Sequence, residues 1–293
     1  MASEAPQAGE LPLPSPGELQ ELEALAVELA VEAGRLIVDE RPVDLGVAKT
    51  KSTATDIVTV MDQRAQDLLR SRLRARRPED GFLGEEEGGT AASSHITWVV
   101  DPIDGTVNYL YDIPSYAVSV AAVVGDPAEP GAWRPVAGAV VNPVTQEVFH
   151  ARAGGGAWQV AGSAEPRRLR MDAPPPLSQA LTGTGFGYDA DRRLWQARVL
   201  SGVIGQVRDI RRIGSAALDI CAVASGTLDC YYERGLNAWD MAAAWLVLVE
   251  AGGRFTGFAG QPPGAAMVVA GAPALHGQLE TALLAALRAA GEE

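Results

Sequence analysis

Cysteine and histidine are scarce in this chain: two cysteines, Cys221 and Cys230, and three histidines, His95, His150 and His276, in 293 residues. So few cysteines exclude a disulfide framework, and neither a CxxC pair nor a Cys/His zinc spacing is present. Both cysteines sit among apolar residues and read as buried free thiols. The histidines are scattered without ligand spacing, which argues against a histidine-based hydrolase. Long hydrophobic runs are missing as well, none approaching the roughly 18 residues of a membrane helix. Positive charge is in the minority, with 24 Lys and Arg against 37 Asp and Glu and a formal net charge of −13. Affinity for phosphate backbones comes from clustered Lys and Arg, so nucleic acid and anionic membranes are poor partners. A small anionic substrate meets the same objection unless bound cations reverse the field locally.

What is present is an ordinary globular composition, 47% hydrophobic and 21% charged, in a chain long enough for one large domain or two modest ones. Residues 1–16 are rich in Pro, Ala and Glu and lack the basic start and apolar stretch of a secretory signal. They read as a disordered leader, with the cytoplasm as the expected location. Residues 17–165 are expected to form an α+β half. Leu19, Leu22, Ala26, Leu29, Ala33 and Leu36 predict a helix over 17–41 closed by Pro42, and Ala65, Leu68, Leu69 and Leu73 predict a second over 60–77. ITWVV at 96–100 reads as a short buried strand ending in Asp101. SYAVSVAAVVG, VAGAVVNP, QEVFHARAGG and GAWQV then read as a β-meander, with a surface hairpin loop over 126–135. The stretch 162–176 lacks periodicity and reads as a connection to a second half, 166–293, where strands and helices alternate as in an α/β layer. The fold class is α/β (α+β).

Four acidic segments stand out: KSTATDIVTVMD at 51–62, GEEE at 84–87, DPIDGT at 101–106 and Trp239-Asp240. Each has a bland explanation. Thr59 and Asp62 have the spacing of a helix cap, an acidic triplet beside Gly is commonly a solvated loop, and Asp240 suits the first turn of a helix. DPIDGT is the most informative. Asp101 stands at the mouth of a strand, Asp104 returns a second carboxylate, the Ile103 carbonyl lies between them, and Gly105-Thr106 opens a turn whose N–H groups can hold a phosphate. Hard cations such as Mg²⁺ want this set of oxygens. Two carboxylates about 4 Å apart repel by roughly 4 kcal/mol at an effective dielectric near 20. Several in one cleft therefore call for cations.

These segments resemble the inositol monophosphatase family in order and approximate spacing, over residues 18–290. The motifs are Gly84-Glu85-Glu86, Asp101 to Asn108, and Trp239-Asp240 through Glu250-Ala251-Gly252-Gly253. The resemblance implies a layered α/β/α/β/α sandwich with the site between two halves, commonly a homodimer. It implies two or three Mg²⁺ per site, held by Glu85, Asp101, the Ile103 carbonyl and Asp104, with Asp240 on a further ion, and inhibition by lithium. Asp62 and Thr106 correspond to the pair that activates a metal-bound water, supported by Glu86. Gly105 and Thr106 amides would contact phosphate. Ala216 and Glu233 would touch polyol hydroxyls, with Glu85, Asp104 and Asp240 lining the same substrate site and Lys51 at its rim. The implied reaction is hydrolysis of a phosphate monoester, foremost myo-inositol 1-phosphate, with water as nucleophile. Histidinol phosphate, fructose 1,6-bisphosphate or a nucleotide phosphate are alternative substrates, and a non-catalytic regulatory or binding protein on this scaffold is the alternative from another class. Ser215 is a mild departure from the family pattern with no evident consequence.

Overall fold

The computed structural model describes residues 11–51, 57–86 and 89–291. The first helix, α1 (Pro16–Asp39), begins where Ser15 Oγ accepts the Glu18 N–H at 3.2 Å and Pro16 takes a first-turn position. It stops short of the expected residue 41, because the residue before a proline is pushed out of the helical region. Residues 11–15, expected within a disordered leader, are instead held. Leu11 packs on the first core, its carbonyl accepts from the Arg134 guanidinium, Pro14 is buried and Ser15 caps α1. Residues 1–10 lie outside the described residues, as do 52–56 of the KSTATD segment and Glu87 of the acidic triplet. Strands β1 (Lys49–Thr50) and β2 (Ile57–Val58) pair antiparallel ahead of α2 (Val60–Arg76).

The large sheet comprises β3 (Gly81–Gly84), β4 (Ile96–Asp104), β5 (Ala117–Gly125), β6 (Trp133–Asn142), β7 (Glu147–Arg152), β8 (Gly156–Ala161) and β9 (Arg167–Leu169). These lie side by side in chain order, with β3–β4 parallel and every other pair antiparallel. Three boundaries differ from the sequence reading. β4 runs on past Asp101 to Asp104, across a register shift between those two residues. Pro135 is not in a loop but paired with Val123, at a second register shift where its missing N–H is tolerated. The aperiodic stretch 162–176 contains β9, three residues that still pair with β8.

After β9 the chain builds a five-stranded sheet ordered β11 (Asp209–Arg211), β10 (Leu181–Thr184), β12 (Cys230–Glu233), β14 (Val268–Gly271) and β13 (Arg254–Thr256). Its helices are α4 (Ala190–Val203), α5 (Ala216–Ser225), α6 (Ala238–Glu250) and α7 (Pro273–Ala289), while the short α3 (Thr106–Leu110) follows β4. Side-chain alternation sorts β5 into two cores. Val118, Val120 and Ala122 meet α1 and α2, whereas Ala117, Ala121 and Val123 meet α5 and α6. A third core lies between the far face of the small sheet and α4 with α7. The result is the α/β/α/β/α sandwich. Its middle layer packs tightly: a Cβ on Gly138 of β6 would stand 3.1 Å from that of Ala243 on α6. Both cysteines are buried and free. Among the described residues, no helix is long and apolar enough to cross a membrane.

Candidate active site

The C-terminal end of β4 delivers the first carboxylates. Asp101 is 1% exposed, and its Oδ1 accepts the Ile103 N–H at 3.0 Å, closing a turn inside the strand. Past that turn the strand continues to Asp104, which lies against the second half. There it meets the start of α5: Oδ2 accepts from Ser215 Oγ at 2.5 Å and from the Ala217 N–H at 2.7 Å, and Oδ1 from the Ala216 N–H at 3.3 Å. A carboxylate at a helix N-terminus satisfies otherwise orphan amides and meets the positive end of the dipole. Ser215 is therefore a working contact, not the inconsequential variant its sequence position implied. Gly105 follows at φ +96°, where a Cβ would lie 3.0 Å from the Gly214 carbonyl. A side chain is excluded there by both backbone angle and space. Asn108 fixes this corner by donating to the carbonyls of Ser115 and Ile213 at 2.7 and 2.9 Å.

Asp240 arrives from the third position of α6, where Oδ2 accepts the Asn237 N–H at 2.6 Å. Carboxylate oxygens of Asp101, Asp104 and Asp240 come within 4.8 Å of one another. Burial first, and then the charges of Glu85 and Asp104, push the Asp101 and Asp240 carboxyls well above the usual range. Burial raises Asp104 to about 6 against the opposing hydrogen bond from Ser215. Three such groups in one spot, drawn from both halves, are a donor set that fits a hard divalent cation.

Glu85, expected in the same metal set, stands beside this trio and not in it. Its carboxylate is paired with Lys51 Nζ at 2.8 Å, and the same ammonium reaches Glu86 at 2.7 Å. Lys49 adds a longer pair to Glu86 at 3.5 Å. Glu86 is buried, and its backbone is clamped by Gln66, whose amide accepts the Glu86 N–H at 2.9 Å and donates to the Glu86 carbonyl at 3.0 Å.

Asp62 caps α2 and faces the site at once. Its Oδ2 accepts the Thr59 N–H at 2.8 Å and the Thr59 hydroxyl at 2.6 Å, while Oδ1 lies 3.1 Å from Thr106 Oγ1. Thr106 Oγ1 is also 3.1 Å from the Ile103 carbonyl. Burial raises the Asp62 carboxyl to about 6, opposed by the two Thr59 hydrogen bonds. One side chain thus caps α2 and also reaches Thr106.

The second half closes a cleft of about 600 Å³, shared by Lys51, Glu85, Asp104, Gly105, Ala216, Glu233 and Asp240 among others. Glu233, at the end of β12, accepts from Tyr231 Oη, and burial pushes its carboxyl up to about 7. A side chain on Gly185 would collide with this carboxylate. Sequence reading missed Gln66, Lys49 and Asp219, and named Asn108 only as the end of a motif, without its contacts. The signal for Lys49 was available: it and Lys51 are the only lysines among 24 basic residues. Gln66 acts on the backbone of Glu86, 20 residues away, for which no local pattern exists.

The family model of the inositol monophosphatases matches residues 18–292. "Inositol-1-monophosphatase" of Mycobacterium leprae is 45% identical over 285 residues, 92% of this chain and 94% of that protein. The Mycobacterium bovis protein of the same name is 44% identical over 277 residues, covering 89% and 93%. The solved structure of Mycobacterium tuberculosis SuhB superposes with a TM-score of 0.73 at 43% identity, covering 92% of this chain and 96% of that one. Motifs, layer order and site geometry agree with these likenesses, and the chain belongs to the inositol monophosphatase family.

Proposed function

We propose that the protein hydrolyses phosphate monoesters of polyols, with myo-inositol 1-phosphate as the foremost substrate. The observation that carries this reading is the junction of Asp101, Asp104 and Asp240, from two halves of the chain, beside the Asp62–Thr106 pair and across a cleft from Glu233. The names of the mycobacterial relatives support the inositol ester over histidinol phosphate and fructose 1,6-bisphosphate.

Asp101, Asp104, Asp240, Glu85 and the Ile103 carbonyl would hold Mg²⁺, two or three ions in all, in a site sensitive to lithium. Bound Mg²⁺ supplies neutralisation of phosphoryl and leaving-oxygen charge and a lowered pKa for water. The chain's own groups do the rest. A Thr hydroxyl has one proton, so Thr106 Oγ1 donating to Asp62 Oδ1 keeps lone pairs free to accept from the attacking water. Proton transfer then runs from water through Thr106 Oγ1 to Asp62 Oδ1, a carboxylate whose raised pKa suits a base working near neutrality. Ser215 and the α5 amides hold Asp104 in one orientation, and Glu86 positions Lys51 against Glu85. Gly105 and Thr106 amides would bind phosphate, and Glu233 would accept from vicinal hydroxyls of the polyol, beside Ala216.

The test is phosphate release from inositol 1-phosphate, histidinol phosphate and fructose 1,6-bisphosphate, each with Mg²⁺ and with excess chelator. Mg²⁺-dependent turnover led by the inositol ester is expected. Preference for histidinol phosphate would move the substrate and keep the chemistry, and no turnover of any ester would overturn the reading in favour of a binding protein.

A further inference from the structure

Asp219 is an acid that neither the metal set nor the water pair uses. It lies one turn beyond Ala216 on α5, and residues three apart share a helix face. That face borders the cleft, and Asp219 is among its lining residues with Glu233, Asp104 and Arg212. Its side chain is 2% exposed, and Oδ1 is buried without a hydrogen-bond partner among the described residues. Nearly all buried polar atoms in folded proteins have a partner, and leaving one without is destabilising. A local role does not account for it. The helix start is already satisfied: Ser215 Oγ takes the Leu218 N–H at 3.3 Å and Asp104 takes those of Ala216 and Ala217. The cap therefore has no need of a second acid. An unpartnered acceptor on a wall that also presents Glu233 is what a ligand rich in hydroxyl groups would complete, since both carboxyls can accept O–H bonds from one ring.

We propose that Asp219 is a substrate-recognition residue, its Oδ1 accepting a hydrogen bond from a ring hydroxyl of the polyol alongside Glu233. The inference rests on the phosphomonoesterase reading above and adds a specificity determinant to it. Because the phosphate end is held elsewhere, the contribution of Asp219 scales with the hydroxyls of the leaving group and not with the phosphoryl chemistry. A single hydrogen bond of ordinary strength corresponds to about a three- to tenfold change in KM.

Asp219→Ala, Asp219→Leu and Asp219→Asn are compared with the wild type in the Mg²⁺-loaded full chain, on inositol 1-phosphate and on phenyl phosphate, which has no hydroxyl to recognise. Expected for Ala and Leu is a three- to tenfold rise in KM for the inositol ester, kcat within about twofold, and no change for phenyl phosphate. Asn keeps an acceptor and should recover most of the lost affinity. Using both a cavity-leaving and a cavity-filling variant, with a thermal melt for each, keeps the test readable if one of them fails to fold. Equal effects on both esters, or no effect on either, would overturn the role of Asp219 and leave the phosphatase reading intact. A wild type that releases phosphate from neither ester would overturn that reading, and this inference with it.

Discussion

Asp62 and Asp240 occupy the same local niche in two halves of the molecule. Each is the third residue of a helix, and each accepts the backbone N–H three residues back, at 2.8 and 2.6 Å. Their surroundings diverge. Asp62 is held by Thr59 and Thr106 hydroxyls and its carboxyl rises to about 6. Asp240 lies with two further carboxylates within 4.8 Å, and burial, then the charges of Glu85 and Asp104, push its carboxyl well above the usual range. In the function proposed above, one local motif thus serves as a proton acceptor in one place and as part of a cation site in the other. The cap is a property of the helix start, whereas the surroundings of each carboxyl come from residues distant in sequence, Thr106 for Asp62 and Asp101 with Asp104 for Asp240.

The sharpest way to break the comparison is Asp240→Asn. Asn keeps an acceptor for the Asn237 N–H, so the fold should survive while Mg²⁺-dependent phosphate release falls by orders of magnitude. Asp104→Asn should behave alike. Near-normal turnover in both would remove the cation assignment. Asp62→Asn should lose about 10²- to 10⁴-fold in kcat, the range for removing a general base, while Mg²⁺ binding changes little. A Mg²⁺ titration followed by calorimetry separates the two acids: Asp240→Asn weakens the isotherm and Asp62→Asn does not.

A smaller effect concerns pH. In the metal-free protein the carboxyls of Asp62 and Asp104 are raised to about 6, Glu233 to about 7 and Asp219 to about 8, each chiefly by burial. An acid whose folded pKa exceeds its unfolded value binds more protons when folded, so stability falls as pH rises. The metal-free melting temperature should therefore drop between pH 5 and 8, by roughly 5 °C or more at about 2–4 °C per kcal/mol. Adding Mg²⁺ at pH 8 should reverse the drop, and Asp101→Asn should lessen it. A flat metal-free profile would mean that the carboxylates are not crowded in solution. Smallest is Ser215→Ala, which frees Asp104 from one hydrogen bond. Apparent Mg²⁺ affinity should weaken about 10- to 100-fold, with recovery in Ser215→Thr.

The amphipathic helices, the meander and the alternating second half were legible in the sequence because their signals are periodic and local. α2 falls within a residue of its expected bounds. Less legible were features set by pairing. β4 reaches Asp104 only because β5 offers partners across a register shift, and β9 exists only because β8 lies beside it. The same holds in the site. DPIDGT announced a turn rich in oxygen ligands, yet Ser215 reads as neutral until Asp104 is seen on its hydroxyl, and Asp219 reads as an ordinary first-turn acid.

By itself, the sequence determined the order of elements, the acidic character of the site, the need for cations in a chain of net charge −13, and the family motifs that carry the chemistry. Only the tertiary structure decided which carboxylates share a position, that Glu85 pairs with Lys51 beside the trio, and that Asp219 lines the cleft with an oxygen unpartnered among the described residues. The reason is range. Helix caps and strand periodicity act over a few residues, whereas a buried charge takes its pKa and its partners from groups more than a hundred residues away, as Asp104 does from Ser215 and Ala217.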